Sequence, residues 1–370
     1  MLDSLALEQE HNQYYAPEFK VLVGGQDLVR DLHLAVTAVE VNLKQRLPGQ
    51  FSFTVANAFD WEQREFLSGS QKIDLLELFA PGETLQIAFG YAGSALTTVL
   101  RGSITGVSMQ LSPGSVPEIS VTGLDLLDSL TRGRRPNRWE GRRDDQIVRE
   151  VLTEHGIAVS ADIPEIGPQH PVTERPAQQT SIQFLDELAK RNSATFYVRD
   201  RTFYFGPRHN DLDPVAELTW GAGLLSFSPE ASVGEQVQEV VVRARTASGQ
   251  ALEGRAGRGS ESGRDQGRQT GSERVAEAST GDGAVLVVRA PVHTQDEANA
   301  LARAILEERA HRFAKGSGEC LGMPLIGPDI NLSLQGVGRS FSKTWYVSEV
   351  THTVDGQGYK TKFNVEEPSL

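Results

Sequence analysis

His33-Leu34-Ala35-Val36-Thr37-Ala38-Val39-Glu40-Val41-Asn42-Leu43, a Pro48-Gly49 turn and Phe51-Ser52-Phe53-Thr54-Val55 together decide the fold class of this chain. The last five residues alternate large apolar with small polar side chains, the two-residue period of a half-buried strand, and a Pro-Gly pair between two such runs predicts a reversal. The same signal extends outward. Phe19-Lys20-Val21-Leu22-Val23 precedes a Gly24-Gly25 turn, and Thr84 to Tyr91, Thr97 to Met109 and Pro117 to Gly123 read as further strands. Ile73 to Phe79 is either one short helix or an irregular crossing, ended by Pro81-Gly82. Many strands with short Gly/Pro turns predict a closed barrel or a sandwich.

The pattern changes after Leu124. Asp144 to His155 reads as a helix, with Asp144 and Asp145 at its positive end, Ile147, Val148, Val151 and Leu152 on one face, and Gly156 as a stop. A second helix runs from about Ile182 to Arg191, with Thr180 and Gln183 at capping-box spacing. Between them Ile163 to Pro176 is a Pro-rich connection, and an aromatic hairpin, Phe196 to Phe205, follows. This is a small α+β insert. Strands return at Val237 to Arg245, Ala284 to Arg289, Ile330 to Leu334, Thr344 to Val354 and Tyr359 to Val365, interrupted by a helix, 294–313, capped by Thr294 and Glu297. The segment 247–283 is rich in Gly, Ser, Arg and Glu, which predicts a flexible insertion without a core. The pattern divides the chain into a first β region at 1–128, a small α+β domain at 129–210 and a second β region at 211–370. Leu100 to Val107 and Trp345 to His352 each lead to a turn and a second strand, an echo that leaves a duplicated barrel open.

The chain has 370 residues, which points to two or three domains. Met1 to Asn12 carries Asp3, Glu8 and Glu10 and no basic residue, the reverse of a secretory signal, so assembly in the cytoplasm is expected. No run approaches the length of a membrane helix, so no direct membrane insertion is expected. The net charge of -13 argues against nucleic acid as a partner.

The search for chemistry leaves catalytic, cofactor-binding and metal residues all at none. The eight histidines (His11, His33, His155, His170, His209, His293, His311, His352) have no metal-ligand spacing and read as dispersed surface residues. Gly257-Arg258-Gly259-Ser260 lacks the Gly-Lys-Ser/Thr ending of a phosphate loop, and Gly316-Ser317-Gly318 reads as a turn. Asp144 and Asp145 are accounted for by the helix dipole, Glu307 and Glu308 by a solvated helix face, and Asp125 by a turn. Cys320, the one cysteine, excludes an intramolecular disulfide; it is read as a small buried thiol. Trp345 and Tyr346 are adjacent, so on a strand one faces the core and the other a surface or interface.

Val121-Thr122-Gly123-Leu124-Asp125-Leu126-Leu127, with Leu130, Arg132 and Trp139, resembles the late control protein D family of contractile-tailed phages. The family's next helix, of the type D-x-I-V-x-x-V-L-x-x-x-G-I, is matched by Asp145, Ile147, Val148, Val151, Leu152, Gly156 and Ile157. Its Q-x-x-S-x-x-x-F-L-x-x-L-A-x-R block is matched by Gln178, Ser181, Phe184, Leu185, Leu188, Ala189 and Arg191, with the spacing after Ser181 shorter by one. Its closing strand pair is matched by Val347, Val350, His352, Gly358, Tyr359, Thr361 and Phe363. The family is also similar to the hub portion of type VI secretion spikes and of extracellular contractile injection systems. The resemblance implies a mainly β fold with two tail-tube-like β-barrels flanking a small α/β domain. It also implies a non-enzymatic baseplate hub. Three copies would form a ring that adapts the six-fold inner tube to a three-fold spike. Implied partners are a homotrimer, a separately encoded spike protein (the chain stops just after the last barrel strand), inner tube ring proteins, and baseplate adaptor and wedge proteins. The particle would be a phage tail or a tail-like assembly released from the cell. A tail-associated cell-wall hydrolase, a receptor-binding tail protein and the tip of a long flexible tail are the alternatives.

Overall fold

The structure, a computed structural model, describes residues 16–69, 71–157, 160–246, 249–259, 268–278 and 284–370. The acidic start, Met1 to Asn12, and part of 247–283 lie outside the described residues. The first half is an antiparallel sheet of β1 (Pro17–Val23), β2 (Ala35–Lys44), β3 (Gln50–Ala56), β4 (Thr84–Tyr91), β5 (Thr97–Gln110) and β6 (Glu118–Asp125), ordered β1-β4-β5-β6-β3-β2. Alternation does here what the sequence promised: Phe51, Phe53 and Val55 of β3 point into a core with Val39, Val41, Ile87 and Phe89. The short helix α1 (Leu75–Leu78), capped by the Asp74 side chain, covers one end. At the end of β6 the Asp125 carboxylate accepts the N–H groups of Gly49 (2.8 Å) and Leu127 (2.9 Å), a turn role. Burial nevertheless holds this carboxyl up at about 7, against those two donors.

The insert begins with α2 (Asp128–Thr131). It holds β7 (Asn137–Arg142), α3 (Asp144–Glu154), β8 (Ser160–Asp162), β9 (His170–Arg175), α4 (Ser181–Arg191), β10 (Ala194–Arg199) and β11 (Thr202–Pro207). Its core joins Trp139, Ile147, Val151, Phe184, Leu188 and Phe196. The expected connection Ile163 to Pro176 is corrected: it contains strand β9, antiparallel to β7, with Thr173 and Arg175 buried. Alternation of two polar side chains carries no apolar signal, so the strand escaped the sequence reading.

The remainder contains β12 (Ala216–Trp220), β13 (Gly223–Ala231), β14 (Glu239–Arg245), β15 (Ala251–Gly257), α5 (Gly271–Ala278), β16 (Val285–Arg289), α6 (Gln295–Ala310), β17 (Ala314–Leu321), β18 (Ile330–Gln335), β19 (Lys343–Asp355) and β20 (Gly358–Glu367). Strands β19-β18-β12-β13-β17-β20 close on β19 as a six-stranded barrel. Its core holds Leu218, Leu224, Cys320, Leu332, Trp345, Val350 and Phe363. Gly316-Ser317-Gly318 is not a turn but the middle of β17. A Cβ on Gly316 would stand 2.6 Å from the Phe227 ring, and one on Gly318 would stand 2.5 Å from the Phe363 ring. The glycines make room for these rings.

Within 211–370 there is a second, separate core. β14 lies between β15 and β16, and α6 covers the sheet through Val240, Val242, Leu252, Ala256, Ala298 and Ala302. The segment 247–283 is therefore corrected: it contains an ordered strand and a helix. Of its inward residues Leu252, Gly254 and Ala256, the last two are small, and the α6 backbone lies against Gly254, where a Cβ would stand 2.1 Å from the Ala298 carbonyl carbon. Close backbone packing needs Gly and Ala, and that composition mimics a linker.

One strand joins the halves. Residues Lys343 to Val347 of β19 pair with β18, and Glu349 to Val354 pair with β2. β20 lies along the opposite side of β19, so β18 and β2 occupy one edge in succession. A bulge between Val347 and Glu349, where the partner strand changes, marks the handover. The fold is mainly β with an α+β insert, and hydrogen bonding closes the ring in the second half. In the first half the β2 edge is taken by β19.

Candidate functional site

Three of the four cores meet at a buried polar junction. Gln45, in the turn after β2, is 8% exposed. Its Nε2 donates to the Tyr346 hydroxyl (2.7 Å) and the Val347 carbonyl (3.1 Å). Its Oε1 accepts the Thr195 hydroxyl of β10 (3.1 Å), and the next residue, Arg46, donates its N–H to the Phe196 carbonyl (2.8 Å). One turn of the first sheet thus grips both the insert and the barrel.

The Tyr346 hydroxyl donates to Asp329 Oδ1 (2.7 Å), which also accepts the His209 N–H (2.9 Å). His209 Nδ1 lies 2.6 Å from Asp329 Oδ2; a carboxylate only accepts, so Nδ1 carries a proton. Asp329 is 3% exposed and has a φ of 63°, and its N–H is held by the Val347 carbonyl at 2.9 Å. Burial, with the Asp329 charge beside it, pushes the Tyr346 hydroxyl well above its ordinary range. This phenol is a fixed donor. The adjacent Trp345 faces the barrel core, its Nε1 donating to the Phe341 carbonyl (2.9 Å), so the expected division of the pair between core and interface is met inside one chain.

Beside the junction lies a cavity of about 750 Å³ lined by Arg46, Lys190, Arg208, Glu307, Glu308 and His311, among others. Glu307 and Glu308 do not sit on a solvated face: both are half-buried, and Glu308 pairs with Arg46 (3.6 Å) and Arg312 (3.2 Å). Arg46 also reaches Asp186 of α4 (3.5 Å). Asp144 is more than a helix-dipole residue. It is fully buried and accepts from Arg191 Nε (2.6 Å) and Asn192 Nδ2 (2.5 Å).

The histidines are likewise corrected: His170, His311 and His352 are buried. Burial, reinforced by Arg208, keeps His311 well below its usual range. Cys320 is buried in the barrel core, and burial raises its thiol far above its usual range. Among the described residues no three His, Cys, Asp or Glu side chains gather as a metal site would require. The sequence reading missed Gln45, Thr195 and Asp329. Only the positive φ at Asp329 marks its position locally, and no sequence pattern reports it. What this arrangement does chemically is hold: each donor meets an acceptor across a boundary between cores, in surroundings where an unmet group would be costly.

The family model described as the Alg8 N-terminal domain matches residues 16–356. The chain belongs to the Alg8 N-terminal domain family. No curated protein matches it by sequence. The chain shares its fold with the 43 kDa tail protein of prophage MuSo2 from Shewanella oneidensis, at TM-score 0.70 and 13% identity over 95% of this chain and 99% of that one. A tail protein from Neisseria meningitidis MC58 is similar to the same degree, with TM-score 0.70 and 14% identity over 95% and 97% of the two chains. An E. coli component of the type VI secretion system, described as structurally similar to T4 bacteriophage tail proteins, gives TM-score 0.57 and 15% identity over 95% and 77%.

Proposed function

We propose that this chain is the structural, non-enzymatic baseplate hub of a contractile injection system or phage tail, of the late control protein D type. Three copies would form a ring adapting a six-fold inner tube to a three-fold spike. The observation that carries this reading is the shared edge of β19, which joins a six-stranded sheet and a six-stranded barrel through one strand. A chain with two such lobes, repeated three times, presents six. The fold shared with phage tail proteins supports the same reading. The buried junction would keep the lobes in register under load. In this reading the two lobes lie within 1–128 and 211–370, with the insert of 129–210 between them. Spike, inner tube, adaptor and wedge proteins are the partners this role requires.

Light scattering on the purified protein, alone and with a co-expressed spike protein, tests the proposal. A trimer, or a monomer that becomes a trimer on the spike, is expected. A monomer that ignores the spike would overturn the hub reading and turn the search to cell-wall hydrolysis or receptor binding.

A further inference from the structure

His170 sits where the insert meets α6. It belongs to β9, and its imidazole is 8% exposed. Nδ1 is 2.8 Å from Oε1 of Glu297, in the first turn of α6. Nε2 stands 3.5 Å from Oδ2 of Asp144 at the start of α3, too far for a good hydrogen bond but close enough for strong charge attraction. Both carboxylates are buried, Asp144 at 0% and Glu297 at 6% exposure, and they come from two different cores. Each is anchored on its own side. Asp144 is held by Arg191 and Asn192 of α4 and the residue following it, and Glu297 Oε2 accepts the His293 N–H at 2.6 Å. The ring therefore spans two fixed acceptors. An imidazolium has a proton for each. A neutral ring has one, and must turn a lone pair toward the other carboxylate.

We propose that protonated His170 is a pH-dependent clamp that fastens helix α6 and its sheet to the insert, engaged in mildly acidic solution and released as pH rises. The charged groups closest to the ring are Asp144 from α3, Arg191 from α4 and Glu297 from α6; His293 in the lead-in to α6, Arg138 of β7, Glu174 of β9 and Glu187 of α4 line the same cleft. Burial and Arg191 oppose the charge on His170, but Asp144 and Glu297 outweigh them and the ring titrates above its ordinary 6.5. The clamp's contribution is thus full below 6.5 and is lost as pH rises through the raised value. Asp144 and Glu297 are held below their ordinary 3.8 and 4.5, burial opposing and their hydrogen-bonded partners prevailing, so their share is present above those values and lost in acid. The clamp is tightest between about 4.5 and 6.5.

Hydrogen exchange of the full chain, corrected for intrinsic rates and read on peptides spanning 291–303 and 168–176, tests this at pH 6 and pH 9. Wild-type protection of both segments is expected to be lower at pH 9 than at pH 6. His170→Gln should be equally weak at both pH values. Wild-type protection that does not change between pH 6 and 9 overturns the clamp, even if His170→Gln fails to fold. Glu297→Gln, which keeps the helix cap but removes one charge, should reduce the pH dependence; an unaltered profile would also overturn it.

Discussion

His352 shows how a single side chain can be decided by its surroundings. Its ring is fully buried, with Nε2 3.0 Å from the Ile326 carbonyl. A carbonyl cannot donate, so Nε2 carries the proton and Nδ1 accepts from the Tyr359 or Thr361 hydroxyl, 3.0 and 3.1 Å away. Burial holds the ring down at about 4, and the contact with Ile326 only partly offsets this. The folded value is lower than the ordinary 6.5, so stability is complete above 6.5 and lost as pH falls toward 4. The loss amounts to roughly 3 kcal/mol at about 1.4 kcal/mol per unit. Urea unfolding at pH 7.5 and 4.5 should show it, and His352→Gln should be less stable at pH 7.5 with a flatter acid limb. His170 acts in the opposite sense on the alkaline side, so the two are separable by comparing their variants.

At the scale of elements, caps and close approaches set the cost of change. Helix α4 is bracketed by a reciprocal cap: Thr180 Oγ1 accepts the Gln183 N–H (3.5 Å) and Gln183 Oε1 accepts the Thr180 N–H (3.0 Å). Thr180→Ala should cost about 1 kcal/mol, seen as a lower denaturation midpoint with unchanged slope. Gly318→Ala in β17 should cost about 1–3 kcal/mol, because the new methyl meets the Phe363 ring inside a closed barrel that has no free edge to yield. The capping box is legible in the sequence itself, since it depends on residues three apart. The role of the glycines is not, since what they accommodate comes from strands more than 40 positions away.

Over the whole molecule, the junction of Gln45, Thr195, Tyr346 and Asp329 ties cores that would otherwise touch through apolar contact. Tyr346→Phe removes the donor to Asp329 and the acceptor of Gln45 Nε2 at once. It should cost about 1–3 kcal/mol and, more tellingly, broaden or split a single unfolding transition in calorimetry as the halves uncouple. A variant that lowers the midpoint but leaves one sharp transition would show that the β2–β19 ladder alone carries the coupling.

The strands and helices that the sequence named, their order as β, α+β, β, and most of their boundaries to within one or two residues followed from sequence alone, but β7, β8, β12, β13 and β17 carried no legible pattern and only the fold revealed them. Apolar period and capping are local properties, readable over a few positions, as at Phe51 to Val55 and Thr180 to Arg191. Four outcomes belonged to the tertiary structure: β19 being shared by both halves, β9 and β15 being strands, the burial of three histidines, and the polar junction. Each depends on partners far apart in the chain: Lys44 opposite Glu349, Gly254 under Ala298, His170 between Asp144 and Glu297, Gln45 on Tyr346. A polar or small residue has the same local appearance whether it faces water or a well-placed acceptor, and only the fold supplies the second.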